Sequence, residues 1–384
     1  MKYVALKDVC KINMGQSPDS SSYNENGEGI PFFQGNADFG ERYPVTRVWC
    51  NAPTKIAQSE DILISVRAPI GALNYAKEKC CIGRGLAAIT PDKSKVSLEF
   101  VYWFLKGKNA ELKSKGTGST FKAISKKILE EILIPDVGFD KQHEYAQMLE
   151  KIYVIIQTRK QELQKLDELI QSRFVELFGD PYVNPLKWKR LKIKDAVTIE
   201  PQNGLYKPQS DYVADGTGTP ILRIDGFYNG RVTDFGSLKR LKCSGMEQQR
   251  YLLLEDDIVI NRVNSIEYLG KCAHIKGLLE DTVYESNMMR MHFDPEHYNP
   301  VYICKLLCSQ YIYDQIVNHA KKAVNQASIN QKDVLDFNIY QPPLELQNQF
   351  ADFVVSVDKS KSKIQKSLEE TQLLFDSLMQ KYFG

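Results

Sequence analysis

Two short motifs contain the residue types of catalytic sites. Pro91-Asp92, followed by Glu111-Leu-Lys113, matches a pattern in which two carboxylates hold Mg²⁺ and a lysine orients the attacking water. That pattern is permissive, and its second part lies in a lysine-rich segment that is typical of a solvated helix. Asp180-Pro181-Tyr182 resembles an adenine-holding loop of amino-methyltransferases, but it lacks the second proline and a glycine-rich cofactor loop. We therefore predict no catalytic residues in the chain.

The cysteines and histidines do not predict a metal site either. The eight cysteines form no C-x-x-C motif, and the five histidines form no H-E-x-x-H motif. Cys304 and Cys308 have helical i,i+4 spacing, but no second pair of ligands accompanies them. We expect no metal, and we expect buried free thiols in a reducing, cytoplasmic environment.

Basic and amide side chains occur repeatedly around the predicted turns. Arg pairs with guanine and Asn or Gln with adenine, while Lys holds phosphates. The candidate DNA-binding residues of the first half are Gln34, Asn36, Arg67, Arg84, Lys115 and Lys122, beside the Gly- and Thr-rich segment 115–121. Those of the second half are Arg223, Arg262, Asn264, Arg290, Lys321, Lys322, Asn325 and Gln326. Each residue alone is better explained as ordinary surface than as a base contact, so the prediction depends on the whole set.

The composition fits two domains with hydrophobic cores of their own. The chain has 384 residues, of which 43% are hydrophobic and 26% charged. Its net charge of +2 neither indicates nor excludes nucleic-acid binding, because local patches bind DNA. No apolar run approaches the ~18–20 residues of a membrane span, and Met1-Lys2-Tyr3 does not begin a signal peptide. We expect no contact with a membrane.

The second half of the sequence repeats the first in the same order. Leu6-Lys-Asp-Val9 corresponds to Ile193-Lys-Asp-Ala-Val197, and both predict an opening strand. Asp-Ile-Leu-Ile after Glu60 corresponds to Asp-Ile-Val-Ile after Asp256. Further strands are predicted at 30–33, 61–66, 85–89, 221–224, 258–261 and 288–293, and short helices at 98–106 and 301–310. The fold class is α/β (α+β), with two similar globular modules at 1–143 and 188–348.

Each module is followed by a long amphipathic segment. Residues 144–179 and 349–384 stay 205 positions apart without a gap and contain neither proline nor an internal glycine. We predict two helices of about 50 Å that pair as an antiparallel coiled coil, with a linker at 180–187. The seam residues, spaced by three, four or seven, are Leu149, Ile152, Ile156, Leu163, Leu166, Ile170, Leu177, Val354, Val357, Ile364, Leu368, Phe375, Leu378 and Tyr382.

The doubled order of these elements resembles the specificity subunit of Type I restriction-modification enzymes over essentially the whole chain. The resemblance is carried by the opening motifs, the Asp-Ile-Leu-Ile and Asp-Ile-Val-Ile strands, and the Pro-then-Gln entry to each helix. That entry is Pro342-Pro-Leu-Glu-Leu-Gln347 in the second copy and a degraded form, ending at Gln142, in the first.

The resemblance implies two target-recognition domains that each bind half of a split double-stranded DNA site, with the helices as a ruler for the spacer. It also implies a non-catalytic chain that docks two adenine-N6 methyltransferase subunits and, in the full complex, motor/nuclease subunits. S-adenosylmethionine, ATP and Mg²⁺ would bind to these partners, and none to this chain. The outer helix faces would hold the partners; their basic residues are Lys151, Arg159, Lys160, Lys359, Lys361 and Lys366.

Three alternatives remain open at the level of sequence. A related bipartite system that cuts on both sides of its site would have the same architecture. A stand-alone enzyme would use Asp92 with Glu111 and Lys113, and a coiled-coil scaffold would bind protein only. The bases bound, the spacer length and the presence of a restriction partner are not encoded in any pattern that we recognise.

Overall fold

The computed structural model describes residues 2–117 and 122–384. The chain divides into two compact units, Met1–Glu162 with Ile364–Gly384, and Leu163–Lys363. Each unit combines one mixed α/β module with part of each of two long helices. The compact units therefore do not divide at the predicted linker 180–187, because each helix packs partly with one module and partly with the other.

The first module is built from eleven strands and four short helices among the described residues. The strands are β1 (Tyr3–Ala5), β2 (Cys10–Met14), β3 (Tyr23–Asn24), β4 (Ile30–Phe33), β5 (Trp49–Cys50), β6 (Ile56–Ala57), β7 (Ile62–Ser65), β8 (Leu73–Tyr75), β9 (Cys80–Ile82), β10 (Leu86–Pro91) and β11 (Leu133–Pro135). The helices are α1 (Leu6–Val9), α2 (Leu98–Gly107), α3 (Asn109–Ser114) and α4 (Lys126–Glu130).

Two larger sheets organise this module. One has the order β2-β10-β7-β8 and the other β3-β5-β4-β9-β6, while β1 pairs with β11. All four residues of β7 are buried, as expected for a central strand that is covered on both faces. The helix α2 begins at Ser97, whose side chain accepts a hydrogen bond from the backbone of Phe100, and it buries Phe100, Trp103 and Phe104 in the core.

The second module repeats this plan with longer loops. Its strands are β12 (Lys189–Lys192), β13 (Val197–Asn203), β14 (Tyr212–Val213), β15 (Thr219–Leu222), β16 (Phe227–Tyr228), β17 (Gly230–Val232), β18 (Lys239–Leu241), β19 (Ile258–Asn261), β20 (Val263–Asn264), β21 (Cys272–His274), β22 (Val283–Tyr284), β23 (Met288–Phe293), β24 (Lys321–Lys322), β25 (Ala327–Ser328) and β26 (Asn338–Gln341). Its short helices are α6 (Gly245–Arg250), α7 (Pro300–Leu307), α8 (Gln310–His319) and α9 (Gln331–Leu335).

The main sheet of the second module has the order β13-β23-β19-β21-β17-β16, and its first four strands correspond to β2-β10-β7-β8. The turn before each central strand is also repeated. Glu60 and Asp256 both have a left-handed backbone, with φ of 71° and 68°. The next residue, Asp61 or Asp257, is buried and its carboxylate accepts the backbone N–H three residues before it. The sequence repeat is thus a structural repeat.

The two long helices are α5 (Phe139–Phe178) and α10 (Leu344–Phe383), each of 40 residues. In the first unit, Tyr145 stacks on Tyr382 with ring centroids 3.9 Å apart, and Arg159 donates to the backbone oxygen of Ser367. In the second unit, Lys361 pairs with Asp167 and Phe350 packs edge-on against Phe174. Within each unit, a later residue of α5 meets an earlier residue of α10, so the pairing is antiparallel, as predicted.

All fourteen predicted seam residues are buried or half-buried. Several also belong to the core of a module: Ile152 and Phe375 lie in that of the first, and Ile170 and Val354 in that of the second. The seam is therefore not a free-standing coiled coil. The apolar face of each long helix is wide enough to pack against both the partner helix and a module.

The structure corrects four details of the prediction. Both long helices begin five residues earlier than 144 and 349, directly after Gly138 and the Pro342-Pro343 pair, and the repeat register did not detect these starts. The opening motifs form a helical turn at Leu6–Val9 and a 3-10 turn at Ile193–Asp195, because strands already flank them. The predicted helix 301–310 is interrupted at Cys308 and Ser309, where Ser309 begins α8.

The fourth correction concerns the linker 180–187, which is a structured turn of the second unit. Gly179 has a φ of 79° and terminates α5. Asn184 then exchanges two hydrogen bonds with the backbone of Trp188, whose indole donates to the backbone oxygen of Phe178 at 2.9 Å. Tyr340 fixes the same turn by donating to the backbone oxygen of Pro181 at 2.9 Å.

Candidate nucleic-acid interface

Loops that are distant in sequence meet at one edge of the first module. The backbone N–H of Val66 donates to Gly85 at 2.9 Å, and that of Gly85 donates to Gln34 at 3.1 Å. Ile124 donates to Val66 at 2.9 Å. These bonds join the loops after β4, after β7, before β10 and before α4 into one surface, which we call the first loop cluster.

Glycine is required where these loops approach each other most closely. A Cβ atom on Gly85 would lie 2.4 Å from the backbone oxygen of Gln34, and one on Gly15 would lie 2.1 Å from that of Gly83. The loops therefore depend on backbone contacts that a side chain would separate. Their own side chains are left free to point outward.

The first loop cluster has an excess of positive charge. Gln34, Arg67, Arg84 and Lys122 are exposed, and none of the three cations among them forms an ion pair within the described residues. Lys115 is also exposed but pairs with Glu111 at 2.6 Å, and Asn36 is half-buried in a 3-10 turn. Uncompensated cations on a small exposed surface attract phosphates. Residues 118–121 of the predicted segment 115–121 lie outside the described residues.

The second module has an equivalent second loop cluster. Arg262 donates its backbone N–H to Asn287 at 2.8 Å, and Ile329 donates to Arg262 at 3.0 Å. Glu285 donates to Leu222 at 3.0 Å. The two bonds of Arg262 correspond to those of Val66, and the bond from Glu285 to Leu222 corresponds to the one from Gly83 to Phe33 at 2.8 Å in the first module. The structure thus brings most of the predicted residues of each half together.

The arginines of the second loop cluster are held in place by neighbours. Arg223 is half-buried, donates to the Tyr212 hydroxyl at 3.1 Å and faces the Glu285 carboxylate at 3.8 Å. Burial raises the pKa of Glu285. A hydrogen bond from the backbone N–H of Ile224 and the charge of Arg223 lower that pKa, but less than burial raises it. Arg262 donates to the backbone oxygen of Ser286 at 3.0 Å. Fixed guanidinium groups of this kind suit directional contacts to a base or a phosphate.

A β-hairpin is the most exposed part of the second loop cluster. It consists of β24 and β25, which pair at Lys321–Ser328 and Lys322–Ala327, and β25 also pairs with β20, which contains Asn264. Its turn exposes Asn325 and Gln326, and Val324 between the two strands is 99% exposed. The sequence prediction, which was limited to basic and amide side chains, did not include Val324 or Tyr206, which is 77% exposed.

The structure gives Arg290, a predicted DNA contact, a different role inside the second module. It lies within β23, its side chain is only 11% exposed, and it donates to the Asp257 carboxylate at 3.0 Å. The Asp257 side chain is fully buried and also receives the His292 imidazole at 3.0 Å. Arg290 neutralises a buried carboxylate. It has this role because its strand lies inside the sheet, a position that the sequence alone does not reveal.

The rejected catalytic motifs have structural explanations. Asp92 caps a turn, and its pKa is lowered chiefly by hydrogen bonds from Ser94. The pKa of Glu111 is lowered chiefly by Lys115, and Asp180 accepts the backbone N–H of Tyr182 at 2.8 Å. Over residues 2–117 and 122–384, no group of three or more His, Cys, Asp or Glu side chains could hold a metal ion.

The eight cysteines are free, and six of them are buried. Cys243 is half-buried and Cys308 is exposed, which corrects the expectation of buried thiols for these two. Cys308 ends α7, where the helix predicted over 301–310 is interrupted.

A family model described as the Type I restriction modification DNA specificity domain matches residues 1–168 and 185–371, nearly the whole chain in two copies. The chain belongs to this family. The family assignment confirms the predicted specificity subunit and its role in DNA recognition, and makes it a subunit without a catalytic role of its own. A specificity subunit assembles with other restriction-modification subunits and with DNA.

Two relatives from Methanocaldococcus jannaschii illustrate the similarity. The specificity subunit of MjaX is 47% identical over 158 residues, which cover 41% of this chain and only 37% of that protein. The specificity subunit of MjaIX is 22% identical over 410 residues, covering 98% of this chain and 91% of that protein. The high identity is thus confined to one part of the chain, whereas the architecture extends over its full length.

A solved S subunit from M. genitalium has the same fold. It is 14% identical, its TM-score is 0.59, and the match covers 100% of this chain and 96% of that one. The likeness supports the predicted architecture of two modules with paired helices. No helix of the described residues is long and apolar enough to cross a membrane.

Proposed function

We propose that this specificity subunit binds a bipartite sequence of double-stranded DNA, with one loop cluster on each half-site. The observation that carries the proposal is the repetition of one backbone frame with different side chains. Where the first loop cluster presents free Arg67 and Arg84, the second presents tethered Arg223 and Arg262 and a hairpin. Two unlike surfaces on alike frames suit two unlike half-sites.

The paired helices would set the unread spacer between the half-sites. Each has 40 residues and no proline, and a helix of that length extends about 60 Å. A long paired helix bends little, so it is a suitable connector between two DNA-binding modules. The chain would in this way act as a ruler.

The subunit would direct adenine-N6 methylation by two methyltransferase subunits that bind S-adenosylmethionine. With motor/nuclease subunits that use ATP and Mg²⁺, it would direct restriction, in the cytoplasm. Exposed apolar side chains on the helices of the first unit support a docking face. Val154 and Ile155 lie on α5 between the contacts at Tyr145 and Arg159, and Leu373 and Leu374 lie on the facing part of α10.

The basic residues proposed for that face divide into two groups. Arg159 and Lys361 bond across the helix pair, to Ser367 and Asp167, so they stabilise the pair. Lys151, Lys160, Lys359 and Lys366 are exposed and remain candidates for contacts with a partner subunit.

A module exchange tests the proposed function. Residues 2–138, which end where α5 begins, are replaced by the same module of a relative, and the methylated sites of the host are sequenced. We expect one half-site to change while the other half-site and the spacer stay the same. A change in both half-sites, or methylation that has no bipartite pattern, would refute the proposal. An exchange of residues 188–341 should change the opposite half-site.

A further inference from the structure

One arginine from each module contacts the long helix of its own unit at the same position of the repeat. Tyr153 of α5 and Asp358 of α10 are 205 residues apart, the offset that relates the two helices throughout. Arg42 contacts Tyr153 in the first unit, and Arg231 contacts Asp358 in the second. We call these two contacts the arginine anchors.

The first anchor combines an ion pair with aromatic contacts. The Arg42 guanidinium carbon lies 4.9 Å from the ring centroid of Tyr153 and 5.3 Å from that of Tyr102 in α2. The same guanidinium pairs with Glu150, one helical turn before Tyr153. The backbone oxygen of Arg42 accepts the N–H of Tyr75 at 2.8 Å, which fixes the arginine to β8.

The second anchor has different chemistry at the same place. Arg231 belongs to β17, which pairs with β21, the counterpart of β8. Its guanidinium pairs directly with Asp358, whose side chain is 19% exposed. At the repeat position, the ion pair with Asp358 takes the place of the cation–π contact with Tyr153. In both units, an arginine beside the sheet reaches the helix at that position.

Each module also has an earlier attachment to its helix. Gln142 and Gln347 are buried and hydrogen-bond to backbone groups of the first and second module, respectively. The anchor follows 11 residues later in both cases, or about 16 Å along the helix axis. With a single directional attachment, the module could rotate about that point on the helix. Two attachments that are separated along the helix define the angle between module and helix.

We propose that Arg42 and Arg231 are positioning residues that fix this angle and thereby restrict the subunit to one spacer length. The inference rests on the proposed bipartite function and adds a role for residues outside both loop clusters. When an anchor is lost, the module can tilt on its helix and reach a half-site that is one base pair nearer or farther. The bases bound within each half-site do not depend on the anchors.

Spacer selection in vitro tests this inference. The complete subunit and its modification partner are given DNA that carries both half-sites with the native spacer, or with spacers up to two base pairs shorter or longer. In Arg42→Gln and in Arg231→Gln we expect methylation at a spacer changed by one base pair to rise at least tenfold relative to that at the native spacer. The half-site sequences should stay unchanged.

Two further variants separate positioning from stability. Arg240 forms an ion pair with Glu280, at 2.6 Å, within the second module, so Arg240→Gln should leave spacer selection unchanged. Reversal of the anchor, with Arg231→Asp and Asp358→Arg together, should restore selection for the native spacer. A spacer profile identical to that of the native protein in both single anchor variants overturns the inference, as does an equal loss of methylation at all spacers.

A spin-label measurement gives a readout that does not depend on DNA. Labels are attached through non-cysteine chemistry to Ser237 of the second module and Ser360 of α10, both of which are exposed. We expect one narrow distance distribution in the native protein and a broader one in Arg231→Gln. An unchanged width refutes the anchor. If the native protein methylates no bipartite site, the proposed function is refuted instead. The width of the distance distribution then tests only whether Arg231 fixes the module on its helix.

Discussion

Gln142 and Gln347 make the same three hydrogen bonds in the two units. Each side-chain oxygen accepts a backbone N–H at 2.8 Å, from Ser97 or from Asn299, just before α2 or α7. Each side-chain nitrogen donates to the backbone oxygen two residues before that N–H donor, in Lys95 or His297. It also donates to the backbone oxygen five residues before the glutamine itself, in Val137 or Pro342. The amide thus joins three segments, and neither a carboxylate nor an amine could make all three bonds.

Replacement of Gln347 by leucine should destabilise the second unit. The side chain is fully buried, and its loss leaves the N–H of Asn299 and the backbone oxygens of His297 and Pro342 without their partner. We expect the free energy of unfolding to fall by about 2–4 kcal/mol, measured by denaturant titration. Gln349→Leu, at an exposed position of the same helix, should change it by less than about 0.5 kcal/mol. Equal effects of the two variants would contradict this role.

The sequence indicated the importance of this position without revealing its cause. The Pro-then-Gln pattern predicted a helix entry, and the helices do begin beside it, at Phe139 and Leu344. That Gln142 bonds to residues 95 and 97 could not be predicted, because these contacts bridge about 45 residues and depend on how α2 packs. Long-range polar contacts of this kind have no periodicity that a single sequence displays.

Arg290→Met should affect stability rather than DNA recognition. The substitution leaves the buried Asp257 carboxylate with its hydrogen bonds from Leu254 and His292 but without its guanidinium. We expect a loss of about 3 kcal/mol in the free energy of unfolding. Asp257→Asn together with Arg290→Met should recover part of that loss, because the buried charge is also removed. A changed half-site with native stability would restore Arg290 as a DNA contact.

The exposed Arg84 should contribute to recognition of one half-site only. Among the described residues it has no acidic partner, and its backbone N–H donates to the Ser17 hydroxyl at 3.3 Å, which orders the loop independently of the guanidinium. Arg84→Ala should weaken DNA binding by about 1–3 kcal/mol and alter only the half-site of the first module. Lys79→Ala, in the exposed turn between β8 and β9, is the matched control. Binding that is equally weakened by both variants would reduce Arg84 to a general charge effect.

The fold and the candidate interface were predictable to different extents. The repeat, the two long helices and the loop positions followed from patterns that act locally, such as helical spacing and the Asp-Ile-Leu-Ile strand. Arg290 and Arg84 are the same residue type in or near a strand, yet one is buried against Asp257 and the other is exposed. Only the packing of β23 between β13 and β19 separates them, and strand order is not encoded locally.

Lys106 should make the stability of the protein depend on pH in the alkaline range. Burial, with Arg42 nearby, lowers the pKa of Lys106 to about 8 from 10.5. Between these values the unfolded chain binds the proton more strongly, so the free energy of unfolding rises with pH from about 8 to 10.5. A shift of that size corresponds to a rise of about 2–3 kcal/mol in the free energy of unfolding over this pH range.

Lys106→Met isolates this dependence, because methionine has a similar length and no charge. Denaturant titrations at pH 7.5 and pH 10.5 should show that the variant lacks the rise of the native protein and is at least as stable at pH 7.5. Lys113→Met, at an exposed position of α3, should retain the native rise. An identical pH profile for all three proteins would show that Lys106 has an ordinary pKa.

Insertion of one heptad into both long helices should lengthen the spacer of the DNA site. The insertions follow Glu162 and Lys363, where the chain passes from one compact unit to the other. Seven residues add about 10.5 Å and preserve the helix face to within about 20°. At about 3.4 Å per base pair, the methylated site should gain about three base pairs between unchanged half-sites. A heptad of glycine and serine has the same number of residues without the stiffness, and it should abolish selection of a single spacer. If the helical insertion left the spacer unchanged, the helices would be connectors and the ruler would have to lie elsewhere in the assembly.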